Sequence, residues 1–441
     1  MHLIVESSKY FNIHTNKTTI STEIRAGIAT FLTMAYIIVV NPLILKDAGM
    51  PFHAVLFATV MVSCISSVLM GLVANLPFAL APGMGLNAFF TYTLVGGGTP
   101  WQVALGAVSI SGIIFMLLSS WGIREKIVAA IPLHLRFAVA AGIGLFLGFI
   151  GLKNAGVIAS HPVTLVTFGG MGIQQILFAC GLIITAVLVY RKVKGALIIG
   201  IIATAAIVWG TSHLYALLGL VPFASLPSEY SAYPDTSLFL SFNIRDALSL
   251  SLVVPIFTLL FTDMFDSIST FVGVAQVGGF IDQKTGLPHN VGKALFVDGF
   301  ATFISGIFGT SSATTYIESA AGVEEGGKTG LTAVVAGLLF LPFMWLSPLL
   351  SFIPQLATAP VLVLIGLFMM QPLSHINWKD ISQSLPAFVT CLMIPLTYSI
   401  TQGIVWGFLS YTLICLATGK SRELSPTLII IDVFAIIALI V

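Results

Sequence analysis

The chain has 441 residues, of which 57% are hydrophobic and only 8% charged, with a formal net charge of +1. A mean hydropathy of +1.04 excludes an ordinary soluble domain, where about a quarter of residues are charged, and the neutral balance offers no electrostatic footprint for nucleic acid. Apolar runs near bilayer length recur from Arg25 onward, so the expected class is an all-α polytopic membrane protein.

Residues 1–24 are polar and lack the apolar region of a signal peptide, which reads as a cytoplasmic N-terminal segment able to lie as a surface helix. Spans are expected at 25–45, 54–75, 78–95, 101–120, 136–152, 173–190 and 195–217. A Pro- and Ser-rich stretch, 218–246, reads as an external covering loop and linker. Seven more spans follow at 247–273, 291–308, 311–323, 329–350, 358–371, 384–400 and 402–418. Residues 419–441 form a C-terminal segment with an apolar tail from Pro426, which could lie at the interface, pack on the bundle or cross. With the N-terminus inside, this alternation leaves only Lys46, Lys153 and Arg245 of the 18 basic residues outside, the bias expected of a correct count.

Seven spans before the linker (25–217) and seven after it (247–418) force the two halves into opposite orientation, the inverted-repeat design of carriers. Phe31-Leu32-Thr33-Met34-Ala35-Tyr36 lies in register with Phe261-Thr262-Asp263-Met264-Phe265-Asp266, and the intervals Thr33–Asn87 and Asp263–Glu318 differ by one residue. Span 3 contains Ala81-Pro82-Gly83-Met84-Gly85-Leu86-Asn87, where proline and glycine weaken a helix. Span 10 opens with Gly309-Thr310-Ser311-Ser312-Ala313-Thr314-Thr315, a string of cap and turn formers. Each reads as a short extended segment followed by a half-helix. Interrupted segments in matching positions of two halves point to a carrier's binding site, since irregular backbone at membrane depth survives only inside protein or along a cavity.

Asp263, Asp266 and Glu318 lie in apolar, hydroxyl-rich surroundings with no Lys or Arg in mid-span to neutralise them. A carboxylate at the bilayer centre costs about 2.5–3.5 kcal/mol on the lenient insertion scale, so each is a binding-site or pathway candidate. Asp263 and Asp266 share a helix face at i, i+3. Two acids kept from water and near each other can hold a proton between them near neutral pH, which makes all three proton-coupling candidates; Asp266 could instead tie span 8 to span 1 or 3. Asn87 offers a donor and an acceptor at the matching place in span 3, beside Gly85. Tyr36, Phe89, Thr315 and Asp298 are secondary candidates, with packing an equal or better reading of Phe89 and a helix–helix hydrogen bond of Asp298. No phosphate-binding loop, catalytic motif or metal-ligand spacing occurs, so neither an enzyme nor a metal site nor an organic cofactor is expected. The four cysteines are scattered in apolar segments and read as small buried residues, not a disulfide framework.

The motifs in spans 1, 3 and 10, with Asn41-Pro42, Ala88-Phe89-Phe90 and Thr315-Tyr316-Ile317-Glu318-Ser319, resemble the AzgA-like branch of the nucleobase:cation symporters, the adenine, guanine and hypoxanthine permeases, from about Arg25 to Thr418. The resemblance implies a core domain of spans 1–4 and 8–11, a gate domain of spans 5–7 and 12–14, and elevator-like proton symport of a purine. It carries substrate binding onto Gly85, Asn87, Asp263 and Glu318, places the chain in a plasma membrane, bacterial inner membrane foremost, and leaves a homodimer open. Guanine and hypoxanthine are slightly favoured over adenine. One position departs from the family pattern: Ser269 stands where a glycine is usual in span 8. Carriage of xanthine, uracil or a small anion on the same architecture is the alternative, and an intramembrane aspartate enzyme a remote one.

Overall fold

The computed structural model describes residues 10–120, 132–220, 233–279, 289–420 and, in the tail, 424–426, 428–429, 432–433 and 435–436. The expectations for residues 1–9, for 221–232 of the linker and for most of the tail therefore lie outside the described residues. In chain order the elements are α1 (Ile20–Met34), α2 (Ile37–Lys46), α3 (Phe52–Leu69), β1 (Leu80–Pro82), α4 (Met84–Ala88), α5 (Trp101–Ser120), α6 (Leu133–Asn154), β2 (Ile158–His161), β3 (Leu165–Phe168), α7 (Ile173–Tyr190), α8 (Ala196–Leu217), α9 (Val253–Gly278), α10 (Val291–Phe308), β4 (Ala313–Thr315), α11 (Ser319–Glu324), α12 (Gly330–Leu338), α13 (Gln355–Met369), α14 (Ile381–Thr397) and α15 (Ile400–Ala417). Among the described residues, 10 helices are long and apolar enough to cross a membrane, and three shorter apolar ones, Met84–Val95, Gly330–Met344 and Ile381–Thr397, accompany them.

The chain divides into two compact units, Met1–Val128 with Ser231–Ser347, and Ala129–Tyr230 with Pro348–Val441. In the first, α1 packs on α12 and α9 packs on α5, while α3 contacts α12 and α10 contacts α5. At its centre β1 and β4 pair antiparallel, Leu80 opposite Thr315 and Pro82 opposite Ala313. Backbone polar groups at membrane depth need partners inside the protein, and serines of two helices complete the set. Ser67 on α3 accepts from Leu80 N (2.8 Å), and Ser305 on α10 accepts from Ala313 N (3.2 Å). Gly83, next after β1, is required by close approach: a Cβ there would lie 2.6 Å from Thr314 Cγ2.

The ends of this unit are tied down by polar contacts. Glu23, fully buried at the start of α1, accepts from Lys328 N (3.0 Å), Thr329 N (3.2 Å) and Thr332 Oγ1 (2.6 Å), satisfying donors at the start of α12. Ahead of α1, Phe11 and Ile13 are buried and Tyr10 donates to Leu72 O (2.8 Å), so this part of the N-terminal segment packs on the unit as a series of turns. The described end of the linker also packs: Leu240 N bonds Ile307 O (2.8 Å) and Asn243 N bonds Gln102 O (2.8 Å).

In the second unit α6 packs on α13 and α14, α7 on α8 and α13, and α14 on α15. Glycines set the spacing. A Cβ at Gly200 would sit 2.3 Å from Thr185 Oγ1, and one at Gly407 would sit 2.0 Å from Thr390 Oγ1. In the tail, Asp432 accepts from Thr412 Oγ1 of α15 (2.5 Å). Two features depart from the sequence reading. The connection between α6 and α7 is a β-hairpin, Ile158 opposite Phe168; its strands are mostly exposed, so no alternating burial marks them in the sequence. Cys180 is exposed where a buried residue was expected, because α7 turns most of its apolar surface outward.

Candidate functional site

All nine sequence-predicted site residues fall in the first unit, around the strand pair. α4 begins immediately after Gly83 and runs on through a wider turn, Phe89–Val95. Glu318 occupies the position ahead of α11, directly after Thr315-Tyr316-Ile317. Extended backbone thus delivers Gly85 and Asn87 on one side and Glu318 on the other. Tyr316 secures the junction by donating from its hydroxyl to Pro82 O (2.6 Å), and Ser319 Oγ accepts from Ala79 N (3.0 Å).

Four carboxylates and one amide accept hydrogen bonds from neutral hydroxyls. Tyr36 donates to Glu318 Oε1 (2.7 Å), which joins span 1 to the half-helix of span 10. Asp266 lies 3.4 Å from Thr314 Oγ1 and within electrostatic reach of Glu318. Asp263, one turn earlier on α9, is buried and accepts at Oδ2 from Thr302 (2.5 Å) and Ser312 (2.9 Å). Its Oδ1 is buried and has no hydrogen-bond partner among the described residues. An unsatisfied buried polar atom costs about 1–3 kcal/mol, more for a charged group, and this one belongs to an acid the sequence marks for binding.

Asp263 and Asp266 therefore share a helix but take different partners: the first is held by α10 and Ser312, the second faces Thr314 and Glu318. Asp298, fully buried on α10, accepts from Ser267 Oγ and, at 3.2 Å, from Thr315 Oγ1. Of the two readings open for Asp298, the observed contacts are those of a tie between α10, α9 and β4. Asn87 is fully buried and accepts at Oδ1 from Ser311 Oγ. Phe89 is buried, whereas Gly85, Asp266 and Glu318 are only partly so. Ser269, at the departure from the family pattern, is exposed.

The residues that sequence reasoning missed are Ser267, Thr302, Ser311, Ser312 and Thr314, whose hydroxyls hold the acids and the amide. Thr310-Ser311-Ser312 was legible as a run of turn formers. The signal that the same run carries polar contacts is its position at membrane depth, where each hydroxyl needs a partner. A second polar group lies nearby: Asn41 Nδ2 donates to Thr59 Oγ1 (2.7 Å) and Thr310 Oγ1 (2.9 Å).

Long apolar helices, a strand pair at their centre and acids bonded by neutral hydroxyls define an integral membrane carrier. The chain belongs to the Permease family, which it matches over residues 21–406; it is a multi-pass membrane permease, not an enzyme. It is 41% identical over 436 residues to the adenine permease AdeP of Escherichia coli (strain K12), covering 98% of this chain and 95% of that protein. It is likewise 41% identical over 437 residues to the guanine/hypoxanthine permease PbuO of Bacillus subtilis (strain 168), covering 98% of this chain and 100% of that one. Among solved structures, the transmembrane domain of the cyanobacterial bicarbonate transporter BicA has the same fold, with a TM-score of 0.66 at 15% identity over 87% of this chain and 97% of that chain.

Proposed function

We propose that this permease imports purine nucleobases in symport with protons across a plasma membrane, by an elevator-like movement of the first unit, as core, against the second, as gate. The observation that carries the reading is Asp263: a buried carboxylate held by hydroxyls at Oδ2, with Oδ1 unpartnered among the described residues. That oxygen can accept a ring N–H or an amino group. Glu318, in the same repeat and held by Tyr36 of the first repeat, supplies a second acceptor. The names of the relatives, adenine permease and guanine/hypoxanthine permease, support a purine.

The packing supports two inverted repeats. If spans 1–4 correspond to 8–11, α1 on α12 mirrors α9 on α5, and α3 on α12 mirrors α10 on α5. The bond from β1 to Ser67 of α3 likewise mirrors that from β4 to Ser305 of α10. In the second unit α6 on α14 mirrors α13 on α7, and α7 on α8 mirrors α14 on α15. The 10 long helices, the three shorter ones and the β4–α11 segment are compatible with fourteen crossings and a cytoplasmic N-terminus.

Proton coupling is inferred from acids that accept from hydroxyls and have no mid-span cation. No organic cofactor enters this reading; the coupling ion is the proton. The fold likeness to a bicarbonate transporter keeps a small anion as the second reading, but carboxylates pointed at the site oppose an anionic ligand. The test is uptake into proteoliposomes of labelled adenine, guanine, hypoxanthine, xanthine, uracil and bicarbonate. Purine uptake that excess uracil and bicarbonate leave intact supports the proposal; bicarbonate or uracil uptake in its place overturns it.

A further inference from the structure

We infer that Ser311 is a specificity-determining residue, which fixes the amide of Asn87 so that its nitrogen, not its oxygen, meets the ligand. The inference rests on the purine reading above and concerns how that site tells bases apart. A side-chain amide has one donor end and one acceptor end of nearly equal shape, so its orientation depends on what holds it. Asn87 is fully buried. Ser311 donates its hydroxyl to Oδ1. Among the described residues the contact of Nδ2 is with the sulfur of Met84, 3.8 Å away, and a thioether is a weak acceptor. The nitrogen carries two hydrogens, so at least one remains for a ligand.

The next residue does the complementary task. Ser312 holds Oδ2 of Asp263 (2.9 Å), while Oδ1 finds no partner among the described residues. Two consecutive hydroxyls therefore commit one atom each of an amide and a carboxylate, leaving a donor at Asn87 and an acceptor at Asp263. That pair is complementary to a heterocycle edge bearing an acceptor next to an N–H. The base must present an acceptor to Asn87, so exchanging an oxo for an amino group at the facing position is penalised. Without the Ser311 hydroxyl the amide can turn and offer Oδ1, and the penalty falls.

The test uses the full-length protein in proteoliposomes and measures inhibition of labelled-purine uptake by hypoxanthine and by adenine, taking the ratio of the two inhibition constants. Ser311→Ala is expected to change that ratio by about fivefold or more, the worth of one hydrogen bond, and Ser311→Thr to restore it. Should Ser311→Ala not reach the membrane, Ser311→Cys, with a weaker donor of similar size, is expected to shift the ratio in the same direction. A ratio that stays within about twofold while uptake of both bases drops equally would assign Ser311 a purely structural role and overturn the inference alone. A wild-type protein that neither base inhibits would overturn the purine reading itself.

Discussion

Buried hydroxyls bond the carbonyl four residues back in both units, as Thr59, Ser63 and Ser305 do in the first, but the cluster that converges on buried acids and an amide lies in the first. In the second unit Thr185, Thr204 and Thr390 each bond the carbonyl four residues back in their own helix, to Gly181, Gly200 and Pro386 at 2.7, 2.7 and 2.8 Å. In the first unit Thr302, Ser311, Ser312 and Ser267 reach across to Asp263, Asn87 and Asp298 on other elements. The local bonds cost nothing in tertiary order and leave the threonine free to pack against glycine; the distant ones exist only once the fold is assembled. For Thr185, Thr204 and Thr390 the local bond accompanies a helix contact, whereas the hydroxyls that converge on Asp263, Asn87 and Asp298 build the candidate site.

The comparison breaks most visibly at the acids. Asp263→Asn and Glu318→Gln should each lower concentrative purine uptake by about 10–100-fold or more, since a hydrogen bond to a charged group is worth roughly 1.5–3 kcal/mol, with the protein still reaching the membrane. Normal accumulation by both variants would remove the site from the first unit. In the second unit Gly407→Ala should do the reverse. Overpacking against Thr390 is expected to cost about 1–3 kcal/mol, lowering the thermal midpoint and yield while the order of preference among bases stays that of the wild type. A changed preference would mean that the second unit reads the substrate as well.

Smaller effects sharpen the boundary. Tyr36→Phe removes one bond to Glu318 and should weaken apparent affinity by about fivefold, measured as KM, with less change in maximal rate. Asp380, on the second unit outside the spans, caps α14: the Ser382 hydroxyl and then the Ser382 N–H hold its carboxyl below the usual range, with Lys420 adding to the effect. A depressed folded value means its contribution is present above the unfolded carboxylate value and is lost as pH falls through the folded one. Asp380→Ala should therefore lower the midpoint slightly at neutral pH, and the gap to wild type should close in acid. An unchanging gap would show that packing, not charge, is at stake there.

How much of this was legible in the sequence follows from which forces act locally. Length and apolar content located the long helices, because a bilayer imposes both. Pro82, Gly83 and the Gly309–Thr315 string announced broken helices by their backbone chemistry, and extended segments stand there. The three acids announced themselves by the expense of charge in an apolar setting. What sequence could not supply was pairing: that Leu80 lies opposite Thr315, that Glu318 meets Tyr36, and that Ser312 rather than a cation holds Asp263. Each depends on residues brought together from far apart in the chain. The Ile158–Phe168 hairpin escaped for another reason, since strands with no buried face leave no periodic trace.

The most direct test of the central claim is purine accumulation in proteoliposomes under an imposed pH gradient, acidic outside, with and without sodium, for the wild type and Glu318→Gln. The account predicts accumulation above equilibrium that follows the proton gradient, ignores sodium, collapses with a protonophore and is absent in the variant. Accumulation that disregards the pH gradient and tracks sodium, or that persists in Glu318→Gln, would contradict it.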